Sequence, residues 1–339
     1  MISSDTYIKR DYDSCFFPDA YADGHQFFLR SFVLTPTDEQ LVSMVESGII
    51  DTSRDVPMLE NLLELRFVSI RMLKELYPNL SEVELEDWME NLVAARVLNK
   101  FVINQHRREY GDEYPTDGLD YYCLDAGGKR ILTMYGHPAC LPERWSVGNV
   151  SMGMARLSVH LALTELYISL KKACKQNLSY FETGKALKYA GGTARFSGEF
   201  GVQYKDGVRH YLCSVALTDK LVPDFRDELD NTIAFMTSKA LKAHFADEPD
   251  TPVVMLIITE NNEIAEYIAE MIELKTAALD ADIVFRFVTE ADLKEGLNGT
   301  AALMRYVPEN EETGEAAAMK HVRTSVFVDT DWSSLSPAQ

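Results

Sequence analysis

The sequence predicts an α/β (α+β) protein in which an N-terminal winged helix-turn-helix precedes a mixed-sheet domain of order αβββαβ. Apolar residues recur with the helical period through residues 57–95, and two strand-like segments joined by a polar loop follow them. Beyond residue 150, helical and strand patterns alternate, which is typical of helices packed on a sheet. The chain of 339 residues, 46% hydrophobic and 25% charged, is long enough for about two domains of ordinary globular composition.

The first helices are predicted from their caps. No regular element is predicted in the first 30 residues, and a helix is predicted after Thr37, a residue type that caps helices. Two more helices are predicted within residues 57–78. Ser69 caps the second of them, and Pro78 ends it because proline cannot continue a helix.

A helix with an acidic outer surface is predicted after Ser81. Its apolar residues recur at i, i+3, i+4 and i+7, as in a helix packed on a core: Leu85, Trp88, Met89 and Leu92. This spacing turns the carboxylates outward, where direct reading of DNA bases is unfavourable because phosphates repel them. We predict that four of them form a surface for a protein partner: Glu84, Glu86, Asp87 and Glu90.

A hairpin and a closing helix complete the N-terminal pattern. Residues 96–104 and 121–124 are predicted as strands, separated by a long polar loop, and Asp125 is predicted to cap a helix over residues 126–135. Three helices, a hairpin with a polar tip and a last helix form a winged helix-turn-helix pattern. The alternative is an all-α domain with an incidental hairpin.

The second half is predicted to alternate between helices and strands. The glycine-rich residues 189–198 are predicted to be a loop with two tight turns. The predicted elements are a helix over 152–177, strands at 178–183, 195–204 and 209–217, a helix from Asp224, a strand at 252–260, a helix at 262–278 and a strand at 283–290. The predicted divisions are an N-terminal extension (1–56), a winged-helix domain (57–138), an α/β domain (148–306) and an acidic tail (307–339).

Four stretches resemble the replication-relaxation family of bacterial plasmids and other mobile elements: "MLENLLELRFVSIRMLKELYP", "LVAARVLNKF", "YYCLDAGGKRIL" and "LSVHLALTEL". The resemblance covers residues 57–290 and rests on the order of elements rather than on one diagnostic motif. It implies a role in plasmid replication, DNA relaxation or transfer. It also implies that the second domain is similar to the restriction-endonuclease core.

An active nuclease of that core needs a carboxylate on its second strand and an acid-x-Lys or acid-x-acid pair on its third, to hold a divalent metal ion. Glu199 supplies a carboxylate on the second strand, but residues 214–216, Ser-Val-Ala, stand where the pair belongs. We therefore expect a catalytically inactive domain with no catalytic residue, metal site or cofactor. An active nuclease that uses Glu199 with Asp219 or Glu228 is the third hypothesis on function, after the two that close this subsection.

The charge distribution allows only a local DNA-binding surface. The net charge is −20, residues 139–245 contain 14 basic and 10 acidic residues, and residues 246–339 contain 6 and 19. The candidate contacts with double-stranded DNA are Arg71, Lys74, Lys100, Arg107 and Arg108 in the winged helix, and Lys171, Lys172, Lys175, Lys185 and Lys188 in the second domain. For any one of them alone, a solvated surface charge is the alternative interpretation, and lysines at a helix C-terminus also complement the helix dipole.

These features predict a non-catalytic DNA-binding accessory protein of a plasmid or mobile element. The alternative is a winged-helix protein-interaction module or homodimer that no longer binds DNA. The apolar run at residues 253–258 is far shorter than the ~18 residues of a membrane span, so no membrane contact is expected. Five dispersed cysteines without a Cys-x-x-Cys pair favour reduced thiols and a cytoplasmic location.

Overall fold

A computed structural model describes residues 25–28, 36–104, 119–137, 154–204, 207–246, 253–277, 279, 283–294, 297, 304–308 and 321–325. The chain divides into two compact units, and the division falls between Thr164 and Glu165, inside one long helix. Residues 9–164 are the N-terminal unit and residues 165–339 are the C-terminal unit. The predicted start of the second domain at residue 148 lies outside the described residues.

The N-terminal unit combines helices with an antiparallel sheet of order β1-β2-β3. Its elements are β1 (His25–Phe28), α1 (Asp38–Glu46), α2 (Thr52–Leu65), α3 (Ile70–Leu76), α4 (Glu82–Ala94), β2 (Leu98–Asn104), β3 (Leu119–Leu124) and α5 (Ala126–Met134). Between α2 and α3, Val68 forms an isolated antiparallel bridge with Tyr122 of β3. Both backbone N–H groups of this bridge donate to the opposite carbonyl, at 3.1 and 2.8 Å.

The predicted helix caps are confirmed. In each case the side chain accepts a hydrogen bond from a backbone N–H of the first turn: Thr37, Ser69, Ser81 and Asp125. Helix α2 begins at Thr52 and has a cap that was not predicted, Asp51. The predicted domain boundary at residue 57 therefore falls inside α2, where Pro57 is part of the helix.

The apolar face of α4 is part of the buried core of the N-terminal unit. Leu85 and Met89 are fully buried, as the helical spacing predicts. The indole Nε1–H of the buried Trp88 donates to the carboxylate of Asp55 at 2.8 Å. That carboxylate also accepts from the backbone N–H of Asp51, so a buried charge of α2 is hydrogen-bonded on both sides.

A buried ion pair joins the start of β2 to the start of α5. Arg96 Nε and Nη2 donate to the Asp125 carboxylate at 2.5 and 3.0 Å, and both residues are at most 5% exposed. Two glycines in the first turn of α5 let this helix approach the backbone of Arg96 and Val97. A Cβ on Gly127 or Gly128 would lie 2.4 Å from the carbonyl oxygen of Arg96 or Val97 respectively, so larger residues do not fit there.

The C-terminal unit is a mixed sheet with helices on it. From the shared helix onward, the elements are α6 (Met154–Cys174), β4 (Leu178–Tyr189), β5 (Gly192–Tyr204), β6 (Gly207–Ala216), α7 (Thr218–Met236), α8 (Lys239–His244), β7 (Val253–Thr259), α9 (Asn262–Thr276), β8 (Val284–Thr289), α10 (Glu290–Lys294), β9 (Met304–Pro308) and β10 (His321–Ser325). The strand order is β10-β9-β8-β7-β6-β5-β4. The predicted mixed α/β class is thereby confirmed.

Strand direction changes at the middle of this sheet. Strands β4, β5 and β6 form an antiparallel meander, whereas β6, β7 and β8 are parallel to one another. Helices α7 and α9 provide the crossovers that parallel neighbours need. Leu212 of β6, Ile257 of β7 and Ile268 of α9 belong to the buried core between the sheet and these helices.

The structure corrects several predicted boundaries. The predicted loop at 189–198 is wrong, because β4 and β5 form a hairpin that runs through it and pairs Tyr189 with Gly192. Helix α7 begins at Thr218 rather than Asp224, and β1 lies within the first 30 residues. Strand β10 lies in the predicted acidic tail. The missed strands have little apolar alternation of their own, and their pairing with neighbouring strands supplies the missing stabilisation.

Candidate functional site

The acidic face of α4 is partly occupied by contacts within the unit. Glu84 closes a capping box, in which its carboxylate accepts from the backbone N–H of Ser81 at 2.7 Å. This backbone hydrogen bond, together with the Ser81 hydroxyl, holds the pKa of Glu84 below its usual value. Glu86 and Asp87 are exposed on the outer face. The predicted partner surface therefore has its exposed centre at these two carboxylates.

Glu90, the fourth carboxylate of the predicted partner surface, lies beside Lys100, a predicted DNA contact. Lys100 Nζ forms an ion pair with Glu90 at 2.8 Å, and the Tyr122 hydroxyl donates to the same carboxylate oxygen at 3.2 Å. The Lys100 side chain is only 14% exposed. The structure thus brings these two predicted residues together, with the charge of each satisfied by the other.

The two basic candidates on α3 have different surroundings. Lys74 Nζ donates to the backbone carbonyls of Pro78 and Leu80, the former at 3.2 Å, and so secures the turn between α3 and α4. Arg71 is exposed on α3. The wing-tip candidates Arg107 and Arg108 lie outside the described residues.

The lysines of the C-terminal unit form two groups. Lys171, Lys172 and Lys175 are exposed at the C-terminal end of α6, and the ammonium group of Lys171 lies 5.4 Å from the ring centre of Tyr167. On β4, Lys188 is exposed and the ammonium group of Lys185 forms an ion pair with Glu182. The charge on Lys185 is therefore already balanced within the unit.

A polar cluster lies in the C-terminal unit, with Glu199 and His210 buried, Tyr180 half-buried and His244 exposed. We call it the Tyr180 cluster: Tyr180, Glu199, His210 and His244. The Tyr180 hydroxyl donates to Glu199 at 3.1 Å and lies 2.7 Å from His210 Nδ1. The other carboxylate oxygen of Glu199 lies 2.8 Å from His244 Nε2. The tautomer of His210 sets which of the two groups donates in the bond between His210 Nδ1 and the Tyr180 hydroxyl.

Strand register and a glycine assemble this cluster. Tyr180 of β4 and His210 of β6 are both paired with Gly201 of β5. A Cβ on Gly201 would lie 2.4 Å from Tyr180 Cε1, so the glycine leaves the space in which the ring crosses β5 towards His210. Phe245, which follows α8, stacks on His210 with ring centres 4.2 Å apart.

Burial makes the phenol of this cluster a hydrogen-bond donor rather than an anion. Desolvation raises the pKa of Tyr180 far above its ordinary value, and the charge of Glu199 raises it further. Cys213, buried nearby, has its thiol pKa raised by burial and by the same carboxylate. Neither the Tyr180 phenol nor the Cys213 thiol is therefore a ready nucleophile. The hydrogen bonds of the cluster can instead hold and transfer protons between Glu199 and the two imidazoles.

Sequence reasoning found only one member of the Tyr180 cluster, the carboxylate of Glu199. His210 stands on a strand, and His244 is 45 residues from Glu199 on a different element. The usable signal was a polar histidine beside the otherwise apolar run "YLCSVAL". That signal does not identify a partner for the histidine.

An apolar residue lies opposite Glu199 on the neighbouring strand. Leu212 is the residue of β6 that pairs directly with Glu199. Within the described residues, no group of three or more His, Cys, Asp or Glu side chains is arranged to hold a metal ion. The side chain of Asp219, which the third hypothesis invokes, lies outside the described residues.

No protein-family model matches the chain, and no curated protein or solved structure matches it either. The resemblance to the replication-relaxation family therefore stays a prediction. Among the described residues, no helix has the length and apolar character needed to cross a membrane.

Proposed function

We propose that the chain is a non-catalytic DNA-binding accessory protein, built from a winged helix-turn-helix and an inactive domain similar to the restriction-endonuclease core. The observation that carries the proposal is the element order α2-α3-α4-β2-β3-α5, in which a helix-turn-helix is followed by a hairpin. The role in a plasmid or mobile element follows from the resemblance to the replication-relaxation family.

The bridge between Val68 and Tyr122 supports the winged-helix assignment. A winged helix has a short strand between its first two helices, and this strand pairs with the second strand of the wing. Val68 stands between α2 and α3 and pairs with β3, which gives this arrangement. An all-α domain with an incidental hairpin has no reason to contain such a bridge.

The order of the C-terminal unit supports the second assignment. A helix, an antiparallel meander of three strands, a crossover helix and a parallel fourth strand follow one another as α6-β4-β5-β6-α7-β7. Leu212 opposite Glu199, and the engagement of both Glu199 oxygens by Tyr180 and His244, support the absence of nuclease activity.

DNA contact is assigned to the wing and to the end of α6. Helix α4 exposes carboxylates, and Lys74 and Lys100 are already engaged within the unit. We assign phosphate contact to Arg107 and Arg108 of the predicted wing and to the exposed lysines Lys171, Lys172 and Lys175; Arg71 and Lys188 are exposed as well.

Fluorescence anisotropy with a labelled duplex, measured over a salt series, tests this proposal. Replacing Arg107 and Arg108 by Glu is expected to lower the slope of log Kd against log salt by about two, one unit for each phosphate neighbour that an arginine no longer reaches. The matched control is Lys239→Glu with Lys242→Glu, an equal charge change on exposed residues of α8. No binding at low salt by the unmodified protein would overturn the proposal.

The second candidate function is protein recognition by the acidic face of α4. It is favoured by one observation: the exposed centre of that face is Glu86 and Asp87, with the neighbouring Lys100 charge already balanced. Affinity capture from the native host tests it, with Glu86→Lys plus Asp87→Lys as the variant and Glu263→Lys plus Glu266→Lys on α9 as the control. A partner that both variants retain would contradict this function.

A further inference from the structure

The N-terminal unit leaves apolar side chains exposed on two adjacent helices. Of the large apolar residues that are exposed in the described part of the chain, four belong to α1, α5 or the residues that follow them. Their exposed fractions are 40% for Val42, 53% for Ile49, 44% for Met134 and 52% for Tyr135. Apolar side chains grouped in this way mark an interaction surface, whereas single ones do not.

Two contacts join α1 to α5, the helices that carry or precede these side chains. Pro36, before α1, lies against the first turn of α5 at Gly127, and Asp38 forms an ion pair with Arg130 at 3.0 Å. Val42 stands one helical turn after Asp38 in α1, and Met134 stands one helical turn after Arg130 in α5.

This surface also separates charge by helix. The exposed ionic residues of α1 are all acidic, namely Asp38, Glu39 and Glu46, and α1 has no basic residue. The ionic residues of α5 are both basic, namely Lys129 and Arg130. A surface with an acidic half, a basic half and apolar side chains between them is complementary to itself after a two-fold rotation.

We infer that the α1–α5 surface binds a second copy of this chain. In the two-fold dimer, α1 of one chain packs on α5 of the other, so that Glu39 and Glu46 face Lys129 of the other copy, while Arg130 keeps its ion pair with Asp38 of its own chain. The exposed apolar residues fill the centre of the contact. This surface is distinct from the acidic face of α4, and the inference does not depend on whether the protein binds DNA.

Sedimentation velocity over a concentration series tests the inference on the full chain. The unmodified protein is expected to show a reversible monomer–dimer equilibrium. Met134→Glu is expected to raise the dimer dissociation constant about a hundredfold, because it buries an uncompensated charge at the contact. Leu274→Glu is the control, since Leu274 is 74% exposed on α9, and it is expected to leave the equilibrium unchanged.

A charge exchange gives the sharper test and guards against misfolding. A chain with Glu39→Lys and Glu46→Lys, and another with Lys129→Glu, are each expected to dimerise poorly because their own halves now repel. Mixed together, they are expected to form a heterodimer, in which one contact has exchanged charges and the other is unchanged. Recovery in the mixture also shows that both variants are folded. A monomer at all concentrations, a dimer indifferent to Met134→Glu, or a mixture without recovery would each overturn the inference.

Discussion

Replacement of Asp125 by alanine tests the buried ion pair at the junction of β2 and α5. The Asp125 carboxylate accepts both guanidinium bonds of Arg96, the backbone N–H of Ala126 at 2.6 Å, and a longer bond from Asn99 at 3.4 Å. The substitution removes the acceptor of all four bonds. It leaves the Arg96 guanidinium buried without its carboxylate.

The expected loss of stability follows from that burial. Breaking a buried ion pair by removing one partner costs about 3–5 kcal/mol, since the remaining charge is desolvated without compensation. Loss of the helix cap belongs to the same change and adds about 1 kcal/mol. The surface pair between Asp38 and Arg130, with side chains 71% and 47% exposed, supplies a contrast worth about 0–1 kcal/mol.

Trp88 provides a local probe for this measurement. Its side chain is buried in the N-terminal unit and bonded to Asp55, so its fluorescence follows unfolding of that unit. Trp145 and Trp332 are replaced by Phe to leave this signal alone. Urea unfolding is then compared for the parent and for Asp125→Ala and Asp38→Ala, with equal m-values required for the comparison.

A loss of stability in Asp125→Ala that is no greater than in Asp38→Ala would refute the expected role of the buried pair. A double-mutant cycle sharpens this outcome. Arg96→Met with Asp125→Ala is expected to cost less than the sum of the single changes, because the double variant leaves no buried charge behind. Strict additivity would show that the two side chains do not stabilise the unit as a pair.

Three further predictions concern other parts of the chain. Gly201→Ala is expected to destabilise the C-terminal unit by about 1–3 kcal/mol in denaturant unfolding, because the added methyl group collides with the side chains of Tyr180 and Val208. The cost should fall in a Tyr180→Ala background, and an undiminished cost would contradict this explanation. The folded pKa of Glu84 lies below its ordinary value of 4.5, so the stabilisation from its capping bond is complete above pH 4.5 and is lost as pH falls through the folded pKa. Glu84→Gln should therefore lower the thermal midpoint at neutral pH but not in strong acid. An equal decrease of the midpoint at both pH values would refute this prediction. Burial raises the pKa of Cys174 to about 12 and that of Cys213 well above its usual value, so both thiols should react with a disulfide reagent only after unfolding; rapid labelling of either in the native protein would show that the site opens.

Much of the local structure of this chain can be predicted from the sequence, because its causes lie within a few residues. Ser81 begins α4 and Glu84 closes its cap three residues later, so both partners stand in one short segment. The apolar spacing of Leu85 and Met89 likewise fixes the buried face of α4. The helices of the N-terminal unit and the mixed α/β class were predicted on this basis.

The sequence was least informative where pairing across strands compensates for weak local preference. The segment from Gly184 to Tyr189 contains little alternation, yet it is the second half of β4 because Phe196 and Ala194 of β5 pair with it. The same holds for β1, whose pairing with β2 joins residues far apart in the chain. No local pattern contains that information.

By itself, the sequence determined where α1, α3, α4 and α5 begin, which face of α4 is apolar, and that its outer face is acidic. Tertiary structure decided which charges remain open for binding. It joined Arg96 to Asp125, Lys100 to Glu90, and Glu199 to His244, and these pairs are separated by 29, 10 and 45 residues. Composition counts each of these side chains as a charge or a potential ligand. When the fold brings two opposite charges to within hydrogen-bond distance, each largely cancels the electric field of the other beyond the pair. The charges available for binding are therefore those that this pairing leaves exposed.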